Sequence, residues 1–263
     1  MHTTHASQSS AQPIVRRGLW FSPSRPKPQA RHQLFCFPYA GSGAGVYSRW
    51  QNLLPDDIDV WCVELPGHQS RSREPLEVDL PVLADQITTA IADNVERPFS
   101  LLGCSLGALL AFEVARRLTQ RQAPLPERLI ALACNAPEIV VRGTHIHKLP
   151  EPALVQRIAE LYGPLPPALL ALPKMRELVL RVLRADLQLV ETYAYRPGPR
   201  LPFDLSFYSG TRDHSMLAES EAKWRGHTSR AFRSTTIEGG HLFVNEALPE
   251  LLPRVLSEIT RRH

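Results

Sequence analysis

The sequence lacks long apolar runs and closely spaced cysteines, and both absences exclude classes of protein. No stretch of its 263 residues approaches the roughly 18 consecutive apolar residues that a membrane span requires. The four cysteines lie far apart with no C-x-x-C pair, so neither a cysteine metal site nor a redox pair is expected. They are Cys36, Cys62, Cys104 and Cys134. Each lies in or beside an apolar run, so we interpret them as small buried hydrophobic residues and expect a cytoplasmic protein that contacts no membrane.

The sequence also lacks a dense basic run interleaved with aromatic residues. Its formal net charge is +4, and arginine heavily outnumbers lysine. Without such a run, nucleic-acid binding is weakly supported, whereas a mild positive field would suit an acidic protein partner. The pair Arg16-Arg17 is not followed by the apolar core of an export signal, because the apolar stretch after it ends at Phe21.

The body of the chain alternates short apolar runs with amphipathic stretches. Runs typical of strands occupy residues 34–37, 58–63, 99–102, 129–134, 205–208 and 233–237. Helical spacing occupies residues 83–95, 106–118 and 249–261. Strands separated by helices predict an α/β domain with a mostly parallel central sheet and helices on both faces.

The alternation stops between residues 141 and 196, where prolines punctuate a helical pattern and no good strand is present. The helical patterning there covers 152–161, 168–172 and 174–193. We therefore predict a helical lid at 141–196, inserted into a core formed by 31–140 and 197–263. Residues 1–30 are rich in Ser, Thr, Gln, Pro and Arg and are predicted to form a flexible tail, with Leu19-Trp20-Phe21 pinned onto the body.

The segment Gly103-Cys104-Ser105-Leu106-Gly107 joins a predicted strand directly to a predicted helix. This G-x-S-x-G pattern is typical of a nucleophile elbow, a sharp turn that exposes one serine hydroxyl. The two glycines leave room where strand and helix cross closely. The pattern in this context predicts the α/β-hydrolase fold with Ser105 as a nucleophile.

A serine hydroxyl needs a base to take its proton, and the base needs an acid to orient it. In this fold the chain order is serine, acid, histidine. Asp213 follows the strand at 205–208, and His241 follows the last strand after two glycines. We predict a Ser105–Asp213–His241 triad at the carboxyl edge of the sheet.

Three other residues compete less well for roles in the triad. Asp186 lies in the helical insertion, and Glu138 is the first carboxylate after the strand at 129–134. His214 is the neighbour of Asp213, a position that suits a base poorly.

An oxyanion hole needs two backbone N–H groups aimed at the developing negative charge. One is predicted at Leu106, which also begins a helix whose positive dipole end favours an anion. The other is predicted in the glycine-rich loop at 38–45, at Ala40 with Tyr39 as second choice. A phosphate-binding loop is the alternative, but the segment lacks the P-loop Lys-Ser/Thr and the spacing of a dinucleotide fingerprint.

With these pieces in place, the chain resembles the type II thioesterases of polyketide and nonribosomal peptide biosynthesis. The segments that carry the resemblance are Leu34-Phe35-Cys36-Phe37-Pro38-Tyr39-Ala40-Gly41, Glu64-Leu65-Pro66-Gly67 with Arg71 and Glu74-Pro75, the elbow, Leu183-Arg184-Ala185-Asp186 with Glu191-Thr192-Tyr193, and Gly239-Gly240-His241-Leu242-Phe243. The resemblance extends from about Leu19 to the C-terminus. One residue departs from the family, which usually has histidine where this chain has Cys104.

The resemblance implies an editing enzyme with a mobile lid and with the triad on Ser105, Asp213 and His241. The implied substrate is an acyl thioester on the phosphopantetheine arm of an acyl- or peptidyl-carrier protein, and no metal or separate cofactor is implied. We expect a monomer, with neither nucleic acid nor membrane as partner. Arg181 and Arg184 would either contact an acidic carrier protein or be solvated. The alternatives are a small-molecule serine esterase or acyltransferase of the same fold, and a binding protein on an inactive hydrolase fold.

Overall fold

The computed structural model describes residues 18–22, 27–139 and 145–261. Within them lies one parallel sheet of six strands. In chain order the strands are β1 (His32–Phe37), β2 (Ile58–Cys62), β3 (Phe99–Cys104), β4 (Arg128–Leu132), β5 (Asp204–Gly210) and β6 (Phe232–Ile237). Most of the predicted tail and the predicted start of the lid at 141–144 lie outside the described residues.

The strands are arranged in the order β2-β1-β3-β4-β5-β6, so β3 lies inside the sheet between β1 and β4. Every pair is parallel, and the carboxyl ends of all six strands therefore meet at one edge. The loops that follow β1, β3, β5 and β6 all leave this edge. The topology alone thus brings the predicted oxyanion loop, nucleophile, acid and base together.

Nine α-helices are present in the described residues. They are α1 (Trp50–Leu53), α2 (Leu80–Asn94), α3 (Leu106–Gln120), α4 (Glu151–Tyr162), α5 (Pro167–Ala171), α6 (Pro173–Thr192), α7 (Ser220–Gly226), α8 (Phe243–Glu246) and α9 (Leu248–Thr260). Within the described residues, each helix is too short or too polar to cross a lipid bilayer.

Successive side chains of a strand point to opposite faces of the sheet, and an apolar cluster covers each face of this one. In β1, Phe35 and Phe37 pack with residues of α2 and α3 on one face, while Leu34 and Cys36 pack with α9 on the other. All four cysteines are buried free thiols, as predicted. The central sheet covered on both faces confirms the predicted fold class.

Helices α4, α5 and α6 form the insertion between β4 and β5, each with a proline in its first turn. A proline suits that position because the first N–H groups of a helix have no partner within it. Helices α4 and α6, together with Ile146, share a small apolar cluster of their own, separate from the two that flank the sheet. The cluster comprises Ile146, Leu154, Ile158, Leu180, Leu183 and Leu187.

Near the N-terminus, Phe21 pairs with Val63 in an antiparallel bridge and is buried between Phe35 and Trp61. This contact attaches the Leu19-Trp20-Phe21 segment to the outer strand β2. Helices α1, α7 and α8 were not predicted. Each has no more than seven residues, too few for a helical pattern to repeat.

Candidate active site

Ser105 lies at the turn between β3 and α3 with a backbone conformation that serine rarely adopts, φ 54° and ψ −119°. The neighbouring glycines explain how the turn is accommodated. A Cβ on Gly103 would lie 2.1 Å from the carbonyl oxygen of Gly107, and one on Gly107 would lie 2.2 Å from that of Phe37. The crossing therefore excludes any side chain at either position, and it leaves the Ser105 hydroxyl partly exposed.

Three predicted side chains form one hydrogen-bonded chain at this turn. Nε2 of His241 lies 2.9 Å from Oγ of Ser105, and Nδ1 of His241 lies 2.8 Å from Oδ2 of Asp213. The histidine follows β6 and the aspartate follows β5, so the contacts join residues that are far apart in sequence. This arrangement can remove a proton from the hydroxyl as it attacks a carbonyl.

The loop that carries Asp213 is braced by residues that were not singled out from the sequence. Ser215 donates hydrogen bonds from its N–H and its hydroxyl to Oδ1 of Asp213. Asn135, after β4, donates to the Ser215 carbonyl and accepts from Leu217 N–H. Burial by itself would raise the pKa of Asp213, but the hydrogen bonds from His241 and Ser215 outweigh it and hold that pKa below its ordinary value. The acid is therefore ionised at neutral pH.

The backbone N–H groups of Ala40 and Leu106 donate to no acceptor in the described part of the chain. Both residues line the same cavity as Ser105. The next N–H in the loop, that of Gly41, is occupied because it donates to Oδ2 of Asp186 at 2.7 Å. Two free N–H groups beside a nucleophile are what a developing oxyanion requires.

A cavity of about 600 Å³ opens beside Ser105 and His241, between the carboxyl edge of the sheet and the lid. This volume lies in the range of small-molecule binding sites. The lid side chains that line it include Ile158, Leu161, Leu169, Leu183 and Leu187. Of the other apolar lid residues, Leu154 is buried inside the lid cluster and Leu178 is exposed. The helical spacing of apolar residues alone does not show which of them line the cavity, which are buried in the lid and which are exposed.

A family model described as a thioesterase domain matches residues 32–262. The chain belongs to the thioesterase family.

Three relatives illustrate the match. The gramicidin S biosynthesis protein GrsT of Aneurinibacillus migulanus is 30% identical over 91% of this chain and 93% of its own length. The thioesterase PikA5 of Streptomyces venezuelae is 32% identical over 90% of this chain and 84% of its own. The solved structure of BorB, a type II thioesterase from the borrelidin biosynthetic cluster, is 30% identical, covers 94% of this chain and all of its own, and superposes with a TM-score of 0.83. The protein is accordingly a type II thioesterase of the nonribosomal peptide and polyketide class.

The other candidates for the triad of this thioesterase lie elsewhere. Asp186 is on α6 and contacts Gly41 and His68. Glu138 pairs with His227, and the His214 side chain is exposed at the rim of the cavity. Among these carboxylates, the structure brings only Asp213 to His241.

Cys104, the departure from the family pattern, is fully buried in β3 and packs within the cluster on the α9 face. Burial raises the pKa of its thiol well above the ordinary value, so it is a poor nucleophile. Cys134 lines the cavity, but burial likewise raises its pKa to about 12.

The lid of the thioesterase contributes an aromatic residue that sequence reasoning missed. Tyr162, the last residue of α4, lies against the His241 ring with centroids 4.7 Å apart. Its neighbour Gly163 has a φ of 96°, a conformation that favours glycine. A tyrosine followed by glycine at a helix end was the available signal, but it does not reveal what the ring contacts.

Proposed function

We propose that this thioesterase hydrolyses acyl groups from the phosphopantetheine arm of carrier proteins, with Ser105 as nucleophile, His241 as base and Asp213 as acid. Ala40 and Leu106 would supply the oxyanion-hole N–H groups. The observation that carries the proposal is the hydrogen-bonded chain from Ser105 through His241 to Asp213, beside two free N–H groups and an apolar cavity.

In the first half of the reaction, Oγ of Ser105 attacks the thioester carbonyl carbon while Nε2 of His241 takes the hydroxyl proton. The carbonyl oxygen becomes an oxyanion between the Ala40 and Leu106 N–H groups. The carbon–sulfur bond then breaks, and the imidazolium returns its proton to the departing thiolate. Asp213 stabilises the imidazolium while it exists.

In the second half, His241 takes a proton from a water molecule that attacks the acyl-serine. The same two N–H groups hold the second oxyanion. Collapse releases a carboxylic acid and restores the Ser105 hydroxyl with the proton from His241. Apart from the attacking water, no group outside the chain and the thioester is needed to balance the two halves.

The partner and setting of the reaction belong to the same proposal. Type II thioesterases act on intermediates bound to carrier proteins, and we propose that this one does so as a cytoplasmic monomer. The buried free thiols suit a reducing compartment. Removal of stalled or wrongly primed acyl groups would be the physiological result.

The test compares the same acyl group on three leaving groups: a holo-carrier protein, N-acetylcysteamine and 4-nitrophenol. We expect the highest kcat/KM with the carrier protein, and no release by Ser105→Ala. Preference for the 4-nitrophenyl ester would instead indicate a small-molecule esterase. Growth of a transfer product when an alcohol or amine is added would indicate an acyltransferase.

A further inference from the structure

The carboxylate of Asp186 connects the lid to the loop that contains Ala40. It lies on α6 and is 1% exposed, and its Oδ2 accepts the Gly41 N–H at 2.7 Å. Its Oδ1 is buried and has no hydrogen-bond partner within the described residues, so Oδ2 carries the contacts that fix its place. Gly41 has a φ of 76°. A Cβ on Gly41 would lie 3.0 Å from Cδ1 of Leu183, which is also on α6.

The same oxygen contacts His68, which follows β2 and is 4% exposed. Nε2 of His68 lies 3.0 Å from Oδ2 of Asp186, and Nδ1 lies 2.9 Å from the carbonyl oxygen of Pro66. Carboxylate and carbonyl oxygens only accept hydrogen bonds, so both contacts are satisfied only when both ring nitrogens carry protons. The geometry therefore favours an imidazolium paired with a carboxylate.

The charged groups around His68 agree with this assignment. Burial lowers its pKa, but the hydrogen bond and charge of Asp186, the Pro66 carbonyl and the charge of Glu64 outweigh burial and leave the pKa raised. On the histidine's own segment, burial raises the pKa of Glu64 to about 7, against the opposing effects of His68, Ser70 and Arg71. On α6, the charged group that contacts the His68 ring is Asp186.

We propose that Asp186 is a positioning residue that, paired with doubly protonated His68, holds the Gly41 N–H and thereby keeps the neighbouring Ala40 N–H aimed at the oxyanion. This inference rests on the proposed roles of Ser105 and Ala40. Because Asp186 belongs to the lid, the oxyanion hole is complete only while α6 is docked on the loop. Deprotonation of His68 places a ring lone pair against an acceptor oxygen. This weakens the contact through which Asp186 holds the Gly41 N–H.

The first test measures kcat and KM on the acetyl thioester of N-acetylcysteamine for Asp186→Ala and Asp186→Asn. Loss of one oxyanion donor lowers kcat by about 100- to 1000-fold, so a displaced donor should lower it by about 10- to 100-fold in Asp186→Ala. Asp186→Asn keeps an oxygen that accepts the Gly41 N–H, so its kcat should fall by less than about tenfold. KM should change little in either variant.

The second test records the pH dependence of kcat. In the parent protein, kcat should decline at alkaline pH as His68 loses its second proton. Asp186→Asn removes the counter-charge, and an opposite charge at this distance shifts a pKa by about one unit or more. The alkaline decline should therefore move to lower pH by about that amount.

The matched control is Glu113→Ala. Glu113 is another buried carboxylate, and it accepts a hydrogen bond from Tyr193, the residue that follows α6, without lining the cavity. Its loss should lower the melting temperature but leave both kcat and the alkaline decline as in the parent.

A kcat for Asp186→Ala within twofold of the parent, with a melting temperature lowered as in Glu113→Ala, would overturn the inference. If Asp186→Ala fails to fold, the pH profile of Asp186→Asn decides, and an unshifted alkaline decline overturns it. Parent-like turnover by Ser105→Ala would instead overturn the proposed function on which the inference rests.

Discussion

At the scale of single residues, the site depends on hydrogen bonds between side chains that the chain holds at fixed distances. Asp213 and Asp186 are both buried carboxylates that accept from a histidine, yet they serve different histidines. The first accepts a hydrogen bond from the proposed base, His241, and the second accepts one from Gly41 in the proposed oxyanion loop. The difference between them can be measured directly.

Asp213→Asn should lower kcat/KM for thioester hydrolysis by about 1000- to 10,000-fold, because an amide leaves the base in the wrong tautomer. Asp186→Asn should cost less than about tenfold, since it touches neither reacting atom. Steady-state kinetics of the two purified variants at pH 7.5, with circular dichroism to verify folding, make the comparison. The reverse ranking would move the triad acid into the lid.

The residues of the triad could be proposed from sequence because each follows a strand that the apolar pattern predicts. The order of the three residues along the chain, and the shared carboxyl edge of a parallel sheet, then predicted that their side chains lie close together. The contacts of Ser215 with Asp213, of Tyr162 with His241 and of Asp186 with Gly41 could not be predicted in this way. They depend on side-chain directions in loops and on how the lid is docked, and neither has a periodic signal in the sequence.

At the scale of elements, the turn between β3 and α3 determines where Ser105, the proposed nucleophile, lies. The strand and helix cross so closely that the backbone of one occupies the space of a side chain on the other. Such a crossing cannot relax by moving a flexible side chain, because the nearest atoms are backbone.

Gly103→Ala should therefore lower the free energy of unfolding by at least about 2 kcal/mol, the cost of overpacking a rigid site. Gly226→Ala is the matched control, since a Cβ there meets nothing within 4 Å at the end of α7. It should stay within about 0.5 kcal/mol of the parent, as surface substitutions usually do. Urea denaturation of the three proteins measures the difference, and equal stability of the two variants would contradict the reading of the turn.

The elements themselves were predictable where their patterns are long. All six strands and the helices α2, α3 and α9 agree with the apolar runs and helical spacing, with ends that differ by a few residues. The short helix α7 was missed because its contribution to the core is essentially one side chain, Trp224, which stacks near Phe207 and donates a hydrogen bond to the Cys134 carbonyl. A single buried tryptophan gives no period from which a helix can be inferred.

At the scale of the whole molecule, the parallel sheet and the lid together enclose the cavity beside Ser105. The loops that carry Ser105, Asp213 and His241 leave the same edge of the sheet, and the lid encloses the cavity beside them. Helix α6 faces the cavity with Leu183 and Leu187, and its Asp186 accepts the hydrogen bond from the Gly41 N–H. Movement of the lid would therefore alter both access to the cavity and the contact at Gly41.

Every step proposed for this thioesterase requires that Ser105 carry the acyl group between its release from the carrier protein and its hydrolysis. Rapid-quench mass spectrometry of the thioesterase mixed with an acyl-carrier protein, with peptide fragmentation that separates Ser105 from Cys104, tests it most directly. We expect a transient acyl adduct on Ser105 of the parent protein, and neither adduct nor release with Ser105→Ala. An adduct on Cys104 or Cys134, or parent-like release by Ser105→Ala, would contradict it.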